Sequence, residues 1–119
     1  DLHWMVHSFP TRRSSDLVID VRFLPNPFFV ESLKPLTGLE KPVADYVLDN
    51  DVTKQFFARF DSLLDFLLPH YEHEGKPYLT VAVGCTGGRH RSVAIAEKLA
   101  QKLLEQKRMV SVAHRDIDK

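Results

Sequence analysis

Cysteine is almost absent from this sequence: Cys85 is the only one, so no disulfide can form within the chain. A chain without disulfides is typical of a reducing compartment, and we therefore expect a cytoplasmic protein. Residues at zinc-ligand spacing are also scarce. His70 and His73 lie three residues apart, but the sequence offers no third ligand near them, so we expect no metal site. No apolar run approaches the ~20 residues needed to span a bilayer, so we expect no membrane partner.

The chain as a whole also lacks net charge, because its 16 Lys and Arg residues balance its 16 Asp and Glu residues. The charge is nevertheless unevenly distributed along the sequence. Residues 18–75 hold five basic and ten acidic side chains, a net charge of −5. Residues 76–119 hold nine basic and four acidic side chains, a net charge of +5. Solvated helix faces would produce this imbalance, and so would a surface that attracts phosphates.

Residues 9–17, FPTRRSSDL, are polar, basic and without hydrophobic periodicity. They resemble the translation of an adapter oligonucleotide used in short-read DNA sequencing. We therefore interpret residues 1–17 as a non-native assembly scar, exclude them from the fold prediction, and expect that a strand ahead of Val18 has been lost. A genuine flexible basic arm is the alternative. The remaining residues, 18–119, are enough for one domain with a core.

Strand and helix patterns alternate along residues 18–119. VIDVRF predicts a strand over residues 18–23, and a long loop with a turn at residues 37–38 follows. PVADYVLDN predicts a short helix from Pro42, and Asp51 fits the N-cap of a longer helix that reaches about Leu68. YLTVAVGC predicts a strand covered on both faces.

The last third of the chain predicts an amphipathic helix over residues 93–104 and a final strand, MVSVAHRD, from Met109. A strand, a helix and a second strand in this order imply a right-handed crossover between two parallel strands. The predicted class is therefore α/β: a small, mostly parallel sheet with flanking helices and a core of strand, anion-binding loop, helix and strand.

The longer helix has an unusually wide apolar stripe. A stripe this wide is buried either on two sides within the same chain, as part of the core, or against a partner chain. In the second case it forms a homo-oligomer interface. The residues concerned are Val52, Phe56, Phe57, Phe60, Leu63, Leu64, Phe66, Leu67 and Leu68.

The loop in VAVGCTGGRHRSVAIA has the composition of an anion site. Gly87 and Gly88 let main-chain amides approach a ligand, and the following helix N-terminus adds partial positive charge and unpaired donors. Arg91 adds a fork that matches two phosphate oxygens, and Thr86 and Ser92 can donate from their hydroxyls. The loop therefore predicts a phosphate, sulfate or carboxylate site, and the number of donors favours phosphate.

Three specific interpretations compete for this loop. A nucleotide P-loop fails, because counting from Gly84 places its second glycine at Arg89. A cysteine phosphatase fits the C-x5-R-[ST] spacing, with Cys85 as nucleophile and Arg91 holding the phosphate, but no general-acid aspartate is evident. A non-catalytic sensor would use the same cradle. We favour Cys85 as a small buried residue.

Four segments, in order along the chain, resemble the C-terminal domain of the RapZ family, the bacterial RNase adapter and nucleotide-binding proteins that include YvcJ. The segments are IDVRFLPNPFF, LTGLEKPVADYV, YLTVAVGCTGGRHRSVAIAEKLA and VSVAHRDIDK. The resemblance covers essentially residues 18–119.

The resemblance implies properties that composition does not show. In the family, an N-terminal P-loop domain binds and hydrolyses ATP or GTP; that domain is absent from this sequence, so we expect neither a cofactor nor a catalytic residue here. The C-terminal domain senses an amino-sugar phosphate, glucosamine-6-phosphate. It also binds small regulatory RNA, presents that RNA to an endoribonuclease, and self-associates.

By position, the resemblance assigns the sugar phosphate to Cys85, Thr86, Gly87, Gly88, His90, Arg91 and Ser92. Further pocket candidates are Asp20, Arg22 and Asn26. Asp20 and Arg22 alternate on the predicted strand, so they either pair with each other or line the pocket together. Candidates for RNA phosphate contacts are Arg22, Arg89, Lys107, Arg108, Arg115 and Lys119.

Overall fold

The computed structural model of the chain describes residues 2–8, 16–75, 78–85 and 90–114. These residues form a four-stranded sheet with three α-helices and one 3₁₀ turn. In chain order the elements are β1 (His3–Ser8), β2 (Leu17–Asp20), the 3₁₀ turn (Pro27–Phe29), α1 (Lys41–Leu48), α2 (Asp51–His73), β3 (Tyr78–Gly84), α3 (Arg91–Glu105) and β4 (Met109–His114).

The sheet is parallel throughout, with the strand order β2-β3-β1-β4, which confirms the predicted α/β class. β3 and β4 are parallel, as predicted, but they are not neighbours. β1 lies between them, and its Val6 is paired with Val81 on one side and Val112 on the other. In β3, Val81, Ala82 and Val83 are buried in succession, so both faces of this strand are covered, as YLTVAVGC predicted.

Residues 2–8 and 16–17 are part of the fold, contrary to the prediction that set residues 1–17 aside. β1 pairs with a strand on each side, and its Trp4 and Val6 are in the core. The strand expected to be lost is therefore present, and Leu17 already begins β2. The prediction failed because the apolar alternation of residues 2–6 was excluded together with the adapter-like segment. Residues 9–15 of that segment lie outside the described residues, so its adapter origin stays a prediction.

The wide stripe of α2 divides into two faces. Thr53, Phe57, Phe60, Leu64 and Leu68 are buried, which confirms a core role for one side. The other side is open, since Val52, Leu63 and Phe66 are exposed. Among the helices of the described ranges, none combines the length and the apolarity that crossing a bilayer requires.

The start of α2 differs from the prediction by one residue. Asn50 is the N-cap: its Oδ1 accepts a hydrogen bond from Thr53 N at 2.9 Å, and its Nδ2 donates to Val47 O at 2.7 Å. Asp51 lies in the first turn, where a carboxylate is favoured by the helix dipole but does not cap. The single Asn50 side chain therefore joins the end of α1 to the beginning of α2. The helix also continues past Leu68 and Pro69 to His73.

We expect Asn50→Ala to lower the free energy of unfolding by about 1–2 kcal/mol, because it removes the cap and a hydrogen bond to α1. The matched variant Asp51→Ala removes only a favourable charge near the helix N-terminus, and we expect a loss of about 0.3–1 kcal/mol. Urea unfolding followed by circular dichroism measures both. A larger loss for Asp51→Ala than for Asn50→Ala would contradict the capping assignment.

Candidate functional site

The carboxyl ends of the strands meet at one edge of the sheet, because all four are parallel. β2 ends there at Asp20 and β3 at Gly84, and α3 begins there with Arg91. Ligands of open α/β sheets bind at this edge, in the crevice outside the carboxyl ends of the strands. The structure therefore places the start and the end of the predicted anion-binding loop where a ligand site is expected.

Only part of the predicted site belongs to the described residues. Thr86, Gly87, Gly88 and Arg89 of the loop lie outside them, as do Arg115 and Lys119. The residues whose positions are described are Cys85, His90, Arg91 and Ser92 from the loop and α3, and Asp20, Arg22 and Asn26 from the β2 side.

Cys85 and Ser92 close the base of the loop. Cys85 Sγ donates to Ser92 Oγ at 3.2 Å and accepts from Ser92 N at 3.3 Å. Ser92 N is one of the first amides of α3, which have no carbonyl partner inside the helix, so the sulfur satisfies a free helix donor. Cys85 is 3% exposed and Ser92 is fully buried. These contacts support the interpretation of Cys85 as a structural residue.

Arg91 ties α3 to the turn that follows β2. Its side chain is buried, and its Nη1 donates to the main-chain carbonyls of Arg22 and Leu24. Leu24 N donates to Val21 O at 3.1 Å, which closes the turn. Within the described part of the chain, these hydrogen bonds use Nη1 alone, whereas a guanidinium also carries N–H groups on Nε and Nη2. Any fork from Arg91 to a phosphate must therefore use the Nε and Nη2 edge.

Asp20 and Arg22 pair with each other. Arg22 Nε contacts Asp20 Oδ2 at 2.8 Å, and Arg22 N donates to Asp20 Oδ1 at 3.0 Å, with both side chains more than half exposed. The strand ends at Asp20 rather than at residue 23, so the two residues do not share a strand face as predicted. Asn26 Oδ1 accepts from Phe28 N at 3.1 Å and thus caps the 3₁₀ turn.

The loop before α1 packs directly on the first turn of α3, which the sequence had not indicated. His90, the N-cap residue of α3, is buried, and its Nε2 lies 3.1 Å from Lys34 O. A Cβ added to Gly38 would lie 2.4 Å from His90 O and 2.6 Å from Ala94 N. Only glycine allows this approach. The glycine in LTGLEKP was the available signal, but it was interpreted only as a turn residue.

A second contact at this edge was also missed. His114, the last residue of β4, is largely buried, and its Nε2 lies 2.5 Å from Glu97 Oε2 on α3. This contact fixes the carboxyl end of β4 to the second turn of α3.

The described RNA candidates do not form one patch. Arg22 follows β2 at the carboxyl edge, whereas Lys107 and Arg108 lie between α3 and β4 at the opposite edge. α3 has 15 residues and is therefore about 22 Å long, which is the approximate separation of the two groups. Lys107 has a φ of 61°, and Arg108 Nε donates to Gln106 Oε1 at 3.2 Å.

Comparison with known proteins gives a consistent result. A family model described as the RapZ C-terminal domain matches residues 5–118. Proteins named nucleotide-binding protein are similar as well. The one from Heliobacterium modesticaldum is 52% identical over 113 residues, which is 95% of this chain and 38% of the relative. The one from Carboxydothermus hydrogenoformans is 56% identical over 105 residues, 88% of this chain and 36% of the relative.

A third relative, from Syntrophotalea carbinolica, is 53% identical over 119 residues, which is 97% of this chain and 41% of that protein. The chain thus spans about two fifths of the length of these curated relatives.

We expect Gly38→Ala to lower the free energy of unfolding by about 1–3 kcal/mol, because the added methyl group overlaps main-chain atoms of α3 that cannot rotate away. Ser32→Ala, a change at an exposed position of the same loop, is the matched control and should be close to neutral. Chemical unfolding of both variants measures the difference. Equal stability of the two chains would contradict the close packing of this loop on α3.

Proposed function

This chain belongs to the RapZ C-terminal domain family, and on that basis we propose that it is a regulatory binding module for glucosamine-6-phosphate and small regulatory RNA. The sugar phosphate binds at the carboxyl edge of the sheet, and the RNA binds through basic residues. The amino-sugar identity and the RNA come from the family resemblance, whereas the phosphate is supported by the geometry of the site.

The observation that carries the proposal is the environment of Arg91. The guanidinium stands at the first residue of α3, where unpaired amides and the helix dipole favour an anion. Its Nη1 is already fixed by two carbonyls, so the Nε and Nη2 edge is held in one orientation before a ligand arrives. A pre-oriented planar fork loses little conformational entropy when it binds two phosphate oxygens.

Binding without cleavage is favoured over a cysteine phosphatase. A thiolate nucleophile must reach the phosphorus atom, and reactive cysteines are partly exposed and in electropositive surroundings. Cys85 is buried, and its sulfur exchanges hydrogen bonds with Ser92. We therefore interpret the C-x5-R segment as an anion-binding loop with a structural cysteine at its base, and we propose no catalytic residue in it.

The wider assignments concern the full-length protein. The relatives are named nucleotide-binding proteins, and we assign ATP or GTP to the part of a longer chain outside this domain, because the loop here departs from the P-loop pattern at Arg89. Delivery of the RNA to an endoribonuclease, self-association and a cytoplasmic location belong to the same proposal.

We expect Arg91→Lys to weaken glucosamine-6-phosphate binding by about 10- to 150-fold, which corresponds to the ~1.5–3 kcal/mol of a charge-assisted bidentate contact. Lysine keeps the charge and can still donate to a carbonyl, so this variant is preferred to Arg91→Ala, which would leave the carbonyls of Arg22 and Leu24 without their donor. Isothermal titration calorimetry measures the affinity.

Lys54→Ala, an exposed change on α2, is the matched control, and unphosphorylated glucosamine tests the need for the phosphate. The same affinity in Arg91→Lys and in the parent chain would remove Arg91 from the site. Undiminished binding of glucosamine would argue that the phosphate is not what the domain recognises.

For RNA, we expect Lys107→Ala with Arg108→Ala to weaken binding evenly across sequences. The slope of log K against log salt should become shallower by about 0.7 for each lost contact to a single strand. Lys41→Ala, an exposed change within the acidic sequence range 18–75, is the control and should leave the slope unchanged. Filter binding between low and physiological salt gives both slopes. An affinity that does not fall with salt would contradict the proposed phosphate contacts.

A further inference from the structure

The segment from Leu24 to Lys34 is fixed at both ends to the first turn of α3. At one end, Leu24 O accepts a hydrogen bond from Arg91 Nη1. At the other end, Lys34 O lies 3.1 Å from His90 Nε2. This segment, the 24–34 loop, therefore begins and ends beside the candidate anion site.

The 24–34 loop presents its two largest apolar side chains to solvent. Phe29 is 81% exposed and Phe28 is 48% exposed, whereas the smaller side chains of Leu24 and Leu33 are in the core. Phenylalanine is normally among the most buried residues, and contiguous exposed apolar surface marks an interaction site. The two rings therefore indicate a surface that binds a partner.

Both rings are held in place before any partner arrives. They belong to the 3₁₀ turn, in which Asn26 Oδ1 accepts from Phe28 N at 3.1 Å and Pro27 O accepts from Val30 N at 2.9 Å. The ring centroids lie 5.8 Å apart at an interplanar angle of 82°, so the rings meet edge to face and are not stacked on each other. A ring that is fixed in this way loses little conformational entropy when a flat group stacks on it.

Positive charges accompany the rings. Lys34 Nζ lies 4.5 Å from the centroid of the Phe28 ring, a cation–π contact, and Arg22 is exposed on the turn that leads into the loop. Residues 20–34 and 90–91 together hold three cations and two carboxylates, a net charge of +1: Arg22, Lys34, Arg91, Asp20 and Glu31. Residues 18–75 as a whole have a net charge of −5, so the rings lie in a locally positive part of an acidic range.

Exposed aromatic rings beside cations are the combination that single-stranded nucleic acids bind. Successive bases stack on the rings, and the backbone phosphates contact Lys and Arg side chains. An apolar surface of a protein would use the rings alone, whereas a nucleotide uses both the rings and the cations. The observations therefore favour RNA over a protein as the partner of the 24–34 loop.

We propose that Phe28 and Phe29 form a stacking site for unpaired bases of single-stranded RNA, with Arg22 and Lys34 contacting the adjacent phosphates. The proposal rests on the proposed function, because it takes RNA as the partner. A double helix keeps its bases stacked inside, so the site selects single strands and the loops of folded RNA.

Fluorescence anisotropy of a labelled oligouridylate and of a labelled blunt RNA duplex tests the site in the 119-residue chain. We expect Phe29→Ala to weaken oligouridylate binding by about 5- to 150-fold, the effect of losing one stacked base, and to leave duplex binding unchanged. The side chain is mostly exposed, so this variant should fold like the parent chain. Phe66→Ala, which removes an exposed ring of α2, is the matched control and should bind both RNAs like the parent.

Phe29→Trp tests the stacking directly. The substitution keeps a flat aromatic ring, so the affinity for oligouridylate should be at least that of the parent chain. Trp4 is the only tryptophan of the parent and is buried, so the change in fluorescence on adding RNA comes from position 29. Stacking of a base should quench that fluorescence.

Equal oligouridylate affinity in Phe29→Ala and in the parent would overturn the proposal and leave the rings to a protein partner. An equal loss for oligouridylate and duplex would overturn it too, since stacking requires unpaired bases. Binding that persists in Phe29→Ala but weakens in Lys107→Ala with Arg108→Ala overturns the stacking site alone. A parent chain that binds neither RNA overturns the RNA part of the proposed function as well.

Discussion

The contact between the Arg91 guanidinium and the carbonyls of Arg22 and Leu24 organises the carboxyl edge of the sheet. A buried guanidinium is costly unless acceptors replace its hydration, and here main-chain oxygens do so. Because these oxygens flank Phe23, the same contact holds the turn that follows β2. Arg91, which the loop motif predicts as an anion ligand, therefore also has a structural role. The two roles use different nitrogens of one side chain, so they do not exclude each other.

Around Arg91, further contacts hold the first two turns of α3 to neighbouring segments. Gly38 brings the loop before α1 onto the first turn of α3, and Glu97 with His114 holds the end of β4 to the next turn. The Cys85 sulfur occupies a free amide of the same helix. The start of α3 is therefore packed on several sides, which limits the movement of its first turn. A rigid set of donors suits recognition of an anion better than a mobile one, since less freedom is lost on binding.

Local sequence patterns were sufficient to predict most helices and strands. They were not sufficient for features that depend on contacts with residues distant in the sequence. β3, α1, α3 and β4 were predicted from apolar patterns and from start signals such as Pro42, and the α/β class followed. Asp51 was predicted as the N-cap because its carboxylate can cap a helix, and only the position of α1 shows that Asn50 caps instead and also reaches Val47. β1 was missed because its short apolar alternation precedes the adapter-like segment and was excluded with it. Gly38 could not be interpreted further, since the helix that requires it lies more than 50 residues away.

The apolar stripe of α2 also shows what local sequence patterns can and cannot predict. Periodicity states which residues share a face, but it does not state how many faces the fold will cover, so core and interface were both open. The structure assigns Phe57, Phe60, Leu64 and Leu68 to the core and leaves the Val52, Leu63 and Phe66 side to solvent. The edge with Lys107 and Arg108 is separated from the candidate ligand site at Arg91 by the full length of α3, about 22 Å. A ligand at Arg91 and an RNA at Lys107 and Arg108 would therefore bind at opposite ends of one helix and would not compete for the same side chains.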